Sequence, residues 1–212
     1  MDKSCFDPDC TRCPRLARFL ADIRADYPDY HARPVAPFGD SNARLLIVGL
    51  APGMHGANAT GRPFTGDYAG ILLYKTLHQF GFASAPESRS ARDRLKLTDC
   101  RITNAVKCLP PANKPVGSEV ANCNSFLQAE LGSLPRRAVI LALGRVAHEA
   151  VIRACGLKQR AFAFKHGALH ALENGLSLLD SYHCSRYNTQ TRRLTEAMFV
   201  AVMAHARELV PR

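Results

Sequence analysis

Four short apolar runs punctuate the chain, at 45–50 (LLIVGL), 102–106 (ITNAV), 138–143 (AVILAL) and 176–182 (LSLLDSY). Each is nearly continuous rather than alternating, the pattern of a strand buried on both faces. Between them apolar positions recur at helical spacing. Residues 68–80 start behind Asp67, a suitable N-cap, and stop at Gly81. Residues 118–131 and 145–155 supply two more linking helices, a C-terminal helix runs over 194–209, and an N-terminal one covers 16–23. Strands alternating with helices predict an α/β fold, a three-layer α/β/α sandwich around a mainly parallel four-stranded sheet. No linker, repeat or low-complexity segment breaks the 212 residues, so a single domain over 1–212 is expected. In such a sheet the site lies beyond the carboxyl ends of the strands.

Composition narrows the partners. An apolar fraction of 47% excludes intrinsic disorder, and no apolar run approaches the roughly 18–20 residues of a membrane span. The opening MDKSCFDPDCTRC is polar and acidic where a signal peptide is basic and then apolar, which predicts a soluble cytoplasmic protein. Lys and Arg number 28 against 18 Asp and Glu, a net charge of +10. That excess suits a polyanion such as nucleic acid, because phosphate contacts release condensed counterions.

Eight cysteines need a reason in a reducing compartment, where grouped cysteines are more often metal ligands or redox groups than disulfides. Cys10 and Cys13 form a C-x-x-C pair, and Cys108 and Cys123 lie far downstream. Two thiolate pairs make a four-sulfur site that suits either zinc or an iron–sulfur cluster, and spacing does not choose between them. Cys5 is a competing ligand; Cys100, Cys155 and Cys184 read as small buried or half-buried residues.

The loop after the first strand, 51–67, holds four glycines and feeds straight into a helix. Glycines let backbone N–H groups approach a ligand, although neither G-x-G-x-x-G nor G-K-[ST] is present. Phe64 has no obvious core to join there and is free to stack on a planar base, with a simple loop anchor as the alternative. These residues, GLAPGMHGANATGRPFTGD at 49–67, resemble the first active-site motif of the type-5, or B-type, uracil-DNA glycosylases. The likeness continues through PVAPFGD (34–40), CLPPANKP (108–115) and SYHCSRYNTQTRRLTEAM (181–198), in the same order.

The resemblance implies a DNA-repair glycosylase that hydrolyses the N-glycosidic bond of uracil in DNA, and of other deaminated bases such as hypoxanthine. Cys10, Cys13, Cys108 and Cys123 fall where the family binds a [4Fe–4S] cluster. Asp67 takes a water-positioning or charge-stabilising role, alongside the ordinary reading of an N-cap. His183 becomes a hydrogen-bond donor to the departing base, and Asn113 the family's catalytic asparagine or simply a turn residue. Ala51, Gly53 and Phe64 belong to the base pocket; Ala51 closes the water-activating route of other types, which carry a polar residue there. Asn104 departs from the small apolar residue often found in the family, and its amide offers both donor and acceptor to a uracil edge.

Arg62, Lys107, Lys114, Ser185, Arg186 and Arg193 are the expected phosphate contacts, with a solvated basic face as the alternative. His55 and His166 are lesser candidates near the site. DNA is the expected partner of a monomer working at the nucleoid of a prokaryote. Two rivals stand beside this reading: a strictly uracil-specific enzyme, favoured by Asn104, and a non-catalytic nucleic-acid-binding metal module, which has no need of Asp67, Phe64 and His183 together.

Overall fold

The computed structural model describes residues 6–172 and 175–210. Helix α1 spans Pro14–Asp26, longer than its apolar positions suggest because Pro14 fits the first turn. Strands β1 (Phe38–Gly39) and β2 (Leu45–Gly49) follow, then the one-turn α2 (Ala57–Thr60) and α3 (Tyr68–Gln79). Next come β3 (Cys100–Asn104), α4 (Gly117–Gly132), β4 (Val139–Leu143) and α5 (Arg145–Ala154). The chain ends with β5 (Leu169–Ala171), β6 (Ser177–Ser181), α6 (Arg186–Gln190) and α7 (Glu196–Leu209).

The sheet order is β1-β3-β2-β4-β6-β5. The four predicted strands form its parallel centre, and β1 and β5 add antiparallel edges. The sheet is therefore six-stranded rather than four-stranded; two- and three-residue edges carry too little periodicity to read. β3 also begins two residues early, pairing Cys100 with Leu45, and the amides of Ala105 and Val106 continue onto the Gly49 and Leu50 carbonyls.

Alternate residues explain the continuous apolar runs. Leu45, Ile47, Leu141 and Leu179 pack on Leu73 and Leu77 of α3 and on Phe199 and Met203 of α7. Their neighbours Leu46, Val48, Ile140 and Leu178 pack on Leu127 of α4 and Val151 of α5. Each strand is buried on both faces. A smaller cluster seats Leu16, Leu20 and Ile23 of α1 against Val106 and Leu109. Among the described residues no helix is long and apolar enough to cross a membrane.

One polar device is sealed into the layer between α5 and β6. His148 Nδ1 lies 2.8 Å from Asp180 Oδ1, and its Nε2 lies 3.0 Å from the Phe162 carbonyl oxygen. Asp180 also accepts from His170 at 3.2 Å and from the Lys165 amide. Both His148 nitrogens face oxygens that accept hydrogen bonds, which favours the imidazolium. Burial alone would depress it, but the Asp180 carboxylate and the Phe162 carbonyl outweigh burial and raise its pKa. A raised pKa in the folded state gives stability that is complete below the ordinary imidazole value of about 6.5 and is lost as pH rises through the raised one. The melting temperature is therefore expected to fall across that window, and to fall less in Asp180→Asn. A parent protein with a flat profile there contradicts a protonated His148.

Candidate active site

Between β2 and β4 the chain reverses the direction in which it adds strands, the place where open α/β sheets bind ligands. A pocket of about 490 Å³ opens there, lined by the carboxyl ends of the central strands and by the loops that follow them. Ala51, Gly53, Phe64, Asp67, Asn104, Asn113, His183, Ser185 and Arg186 all reach it. Residues from four distant stretches of sequence thus meet in one cavity.

The 51–67 loop sets up Asp67 and Phe64. Asp67 caps α3, its Oδ1 accepting from the Gly70 amide at 2.9 Å, while Oδ2 turns toward the glycines of the loop. A Cβ at Gly56 would lie 2.7 Å from that oxygen, so the glycine is required by close approach. Burial pushes the Asp67 carboxyl up, against the Gly70 and Ala69 amides that pull it down. The cap and the site-facing oxygen coexist in one side chain. Phe64 does join the core: its ring is buried, its backbone takes a positive φ of 53°, and one face forms the pocket wall.

His183 follows β6 and stacks on Phe64, with ring centres 5.8 Å apart. The Asn188 amide holds its backbone carbonyl at 2.8 Å. Its Nδ1 is buried without a partner among the described residues, and burial pushes the imidazole down to about 4, so the ring is neutral at pH 7. Asn104 ends β3, is 3% exposed, and its Oδ1 is likewise buried without a partner. Gly49 makes room for it: a Cβ there would run into that oxygen and sit 2.7 Å from Phe64 Cζ. Both side chains line one apolar pocket, and each carries a buried polar atom with no partner among the described residues, an arrangement suited to a polar, planar ligand. Asn113 stands at the rim with φ 56°, a left-handed conformation that asparagine tolerates, so the turn role is real.

All four cysteines of the expected site line one small cavity. Cys10 and Cys13, just before and at the start of α1, meet Cys108 and Cys123 of α4 there. Burial, and then the neighbouring thiols, push Cys108 up to about 12. Burial also raises Cys13 and Cys123. The Lys107 amide donates to Cys123 Sγ at 3.3 Å, and the Asn122 amide to Cys13 Sγ at 3.6 Å. Thiols lining one cavity, with N–H donors aimed at two of their sulfurs, are residue types that could hold a metal through thiolates. Cys100 and Cys184 are buried and Cys155 is half-buried, away from this cavity; Cys5 lies outside the described residues.

Two of the expected phosphate contacts are instead internal. Arg62 is buried, paired with Asp93 at 2.5 Å and laid over the Phe38 ring, where it ties the loop to residues 88–93. Lys107 is buried against Glu130. A basic residue beside a site motif does not reveal by itself whether it faces water. Lys114 and Arg193 do stay on the surface, with Arg193 over the Tyr182 ring. His55 bonds the Tyr30 hydroxyl, and His166 accepts from the Tyr182 amide; neither lines the pocket. Tyr68, Arg145 and Val146, which do line it, escaped the sequence reading. The LGR turn after β4 was legible only as a helix start, although the strand-end rule applied there too.

The model of the uracil DNA glycosylase superfamily matches residues 36–207. The chain is similar to the type-5 uracil-DNA glycosylase of Thermus thermophilus, 48% identical over 205 residues that cover 94% of this chain and 93% of that protein. It is 42% identical to the type-5 enzyme of Pyrobaculum aerophilum, over 93% and 87% of the two chains. The type-4 uracil-DNA glycosylase of Archaeoglobus fulgidus is 30% identical over 76% of each. A chain matched this fully along its length, with its strand-end motifs gathered into one pocket, belongs to the uracil-DNA glycosylase superfamily, among its type-5 members.

Proposed function

We propose that this protein excises uracil from DNA by hydrolysing its N-glycosidic bond, leaving an abasic site for repair. The observation that carries the reading is the meeting of Phe64, Asp67, Asn104 and His183 in one pocket, with unpartnered polar atoms on two of them. The target base leaves the stack at a cost of a few kcal/mol, offset by stacking on Phe64 and by hydrogen bonds to its edge. Bond breaking puts positive charge on the sugar and negative charge on the base. The Asp67 carboxylate stabilises the first and positions water, with Asn113 at the rim assisting. Neutral His183 donates a hydrogen bond to the base carbonyl as charge grows there.

Around the mouth, Ser185, Arg186, Lys114 and Arg193 hold phosphates, joined by Arg145 at the start of α5. Tyr187, 70% exposed beside the pocket, fills the gap the base leaves. Cys10, Cys13, Cys108 and Cys123 hold a [4Fe–4S] cluster, which when bound ties the N-terminal segment to the loop after β3 and takes no part in the chemistry. The protein acts as a one-domain monomer in the cytoplasm, at the nucleoid.

Asn104 sets the substrate range. Its amide pairs with the O4 acceptor and N3–H donor of uracil, whereas cytosine presents the reverse pattern and leaves buried groups unpaired at about 1–3 kcal/mol each. Hypoxanthine offers a similar acceptor and donor on a larger ring. Oligonucleotides carrying uracil, hypoxanthine, xanthine or a thymine mispair test this. Uracil is expected to be the best substrate, hypoxanthine slower and cytosine untouched, with Asn104→Ala losing more rate on uracil than on hypoxanthine. Equal losses on both bases, or none, would reduce Asn104 to a strand residue.

A further inference from the structure

Lys107 is among the largest side chains hidden completely, 2% exposed. All three of its ammonium protons are used: by Glu130 Oε1, by Thr103 Oγ1, and by the backbone carbonyl of Asn104 at 3.0 Å. Glu130 is as deeply buried, and its second oxygen has no partner among the described residues. It lies on α4 two turns beyond Cys123, on the face turned toward the end of β3.

Removing two charges from water is costly, and an apolar pair of the same volume is often at least as stable. The pair therefore calls for a role other than stability. Two of the three ammonium bonds end on Thr103 and Asn104, the last residues of β3, where the Asn104 side chain lines the pocket and its amide oxygen has no partner among the described residues. The Lys107 amide holds Cys123 Sγ, so one residue touches both the pocket wall and the cysteine site.

We propose that the buried Lys107–Glu130 pair is a positioning device: it clamps the Asn104 carbonyl to α4 and so fixes the aim of the Asn104 amide at the base. The proposal rests on the reading of Asn104 as a base-contacting residue.

The test is Lys107→Met combined with Glu130→Leu, made in the parent and in Asn104→Ala. The double variant is expected to keep the parental melting temperature and visible absorbance. Its single-turnover rate on uracil should fall about tenfold, with KM for DNA unchanged. In Asn104→Ala the same pair of substitutions should cost nothing further, because residues that act through one another are not additive. A parental rate in the folded double variant, or an equal loss in both backgrounds, overturns the proposal. Should the double variant not fold, Lys107→Met alone is measured in both backgrounds; failure of both to fold assigns the pair to stability and overturns it too. A parent that releases no uracil marks the failure of the functional reading instead.

Discussion

Asp67→Asn is expected to release uracil ~10²–10⁴-fold more slowly than the parent in single turnover, the scale of losing one charge-stabilising group. Asparagine is the informative replacement because its side-chain oxygen can still cap α3, whereas alanine would also cost about 1 kcal/mol of helix capping. His183→Ala should fall in the same range by removing the donor to the departing base. DNA affinity should change far less in both, since it rests on phosphate contacts at the rim. The pH profile separates the two groups. Asp67 acts as the carboxylate, and burial raises its pKa, so the rate should fall as pH drops through a value above the ordinary carboxylate range. His183, pushed down to about 4, is neutral above that value and takes up a proton only below it. Asp67→Asn should abolish the limb. Parental rates in both variants would mean that the site has been misplaced, and weakened binding alone would favour the non-catalytic rival.

The second large effect concerns the thiols. The purified protein is expected to be brown, with visible absorbance and about four irons and four sulfides per chain. Cys108→Ala or Cys123→Ala should lose that colour and most of the soluble yield, because a cluster there would fasten the segment before α1 to α4. The soluble remainder should cut uracil at a rate closer to the parent than Asp67→Asn does, as no cysteine among the described residues lines the base pocket. A colourless protein carrying stoichiometric zinc would sink the iron–sulfur assignment.

Much of this was legible in the chain, for reasons that can be named. The four central strands stand out because each is apolar on both faces, and α3 because Asp67 and Gly81 bracket it. The pocket could be anticipated because strand-end segments carry glycines, histidine and amides where a core would carry none. β1 and β5 were not legible, since two or three residues have no period. The burial of Lys107 and Arg62 was not legible either. It depends on Glu130 and Asp93, acids 23 and 31 residues away that only the fold brings near. Phe64 shows the same limit: it reads as a ligand-stacking residue, but its backbone also adopts φ 53° to reach a core that loop composition does not announce.

The central claim is that the pocket breaks a base–sugar bond and nothing else. Its most direct measurement is mass spectrometry of the products from a single-uracil oligonucleotide incubated with the protein. The account requires free uracil in an amount equal to the abasic strand, with the phosphodiester intact until alkali is added. A strand that is bound but keeps its uracil, or one cleaved without alkali, would contradict it.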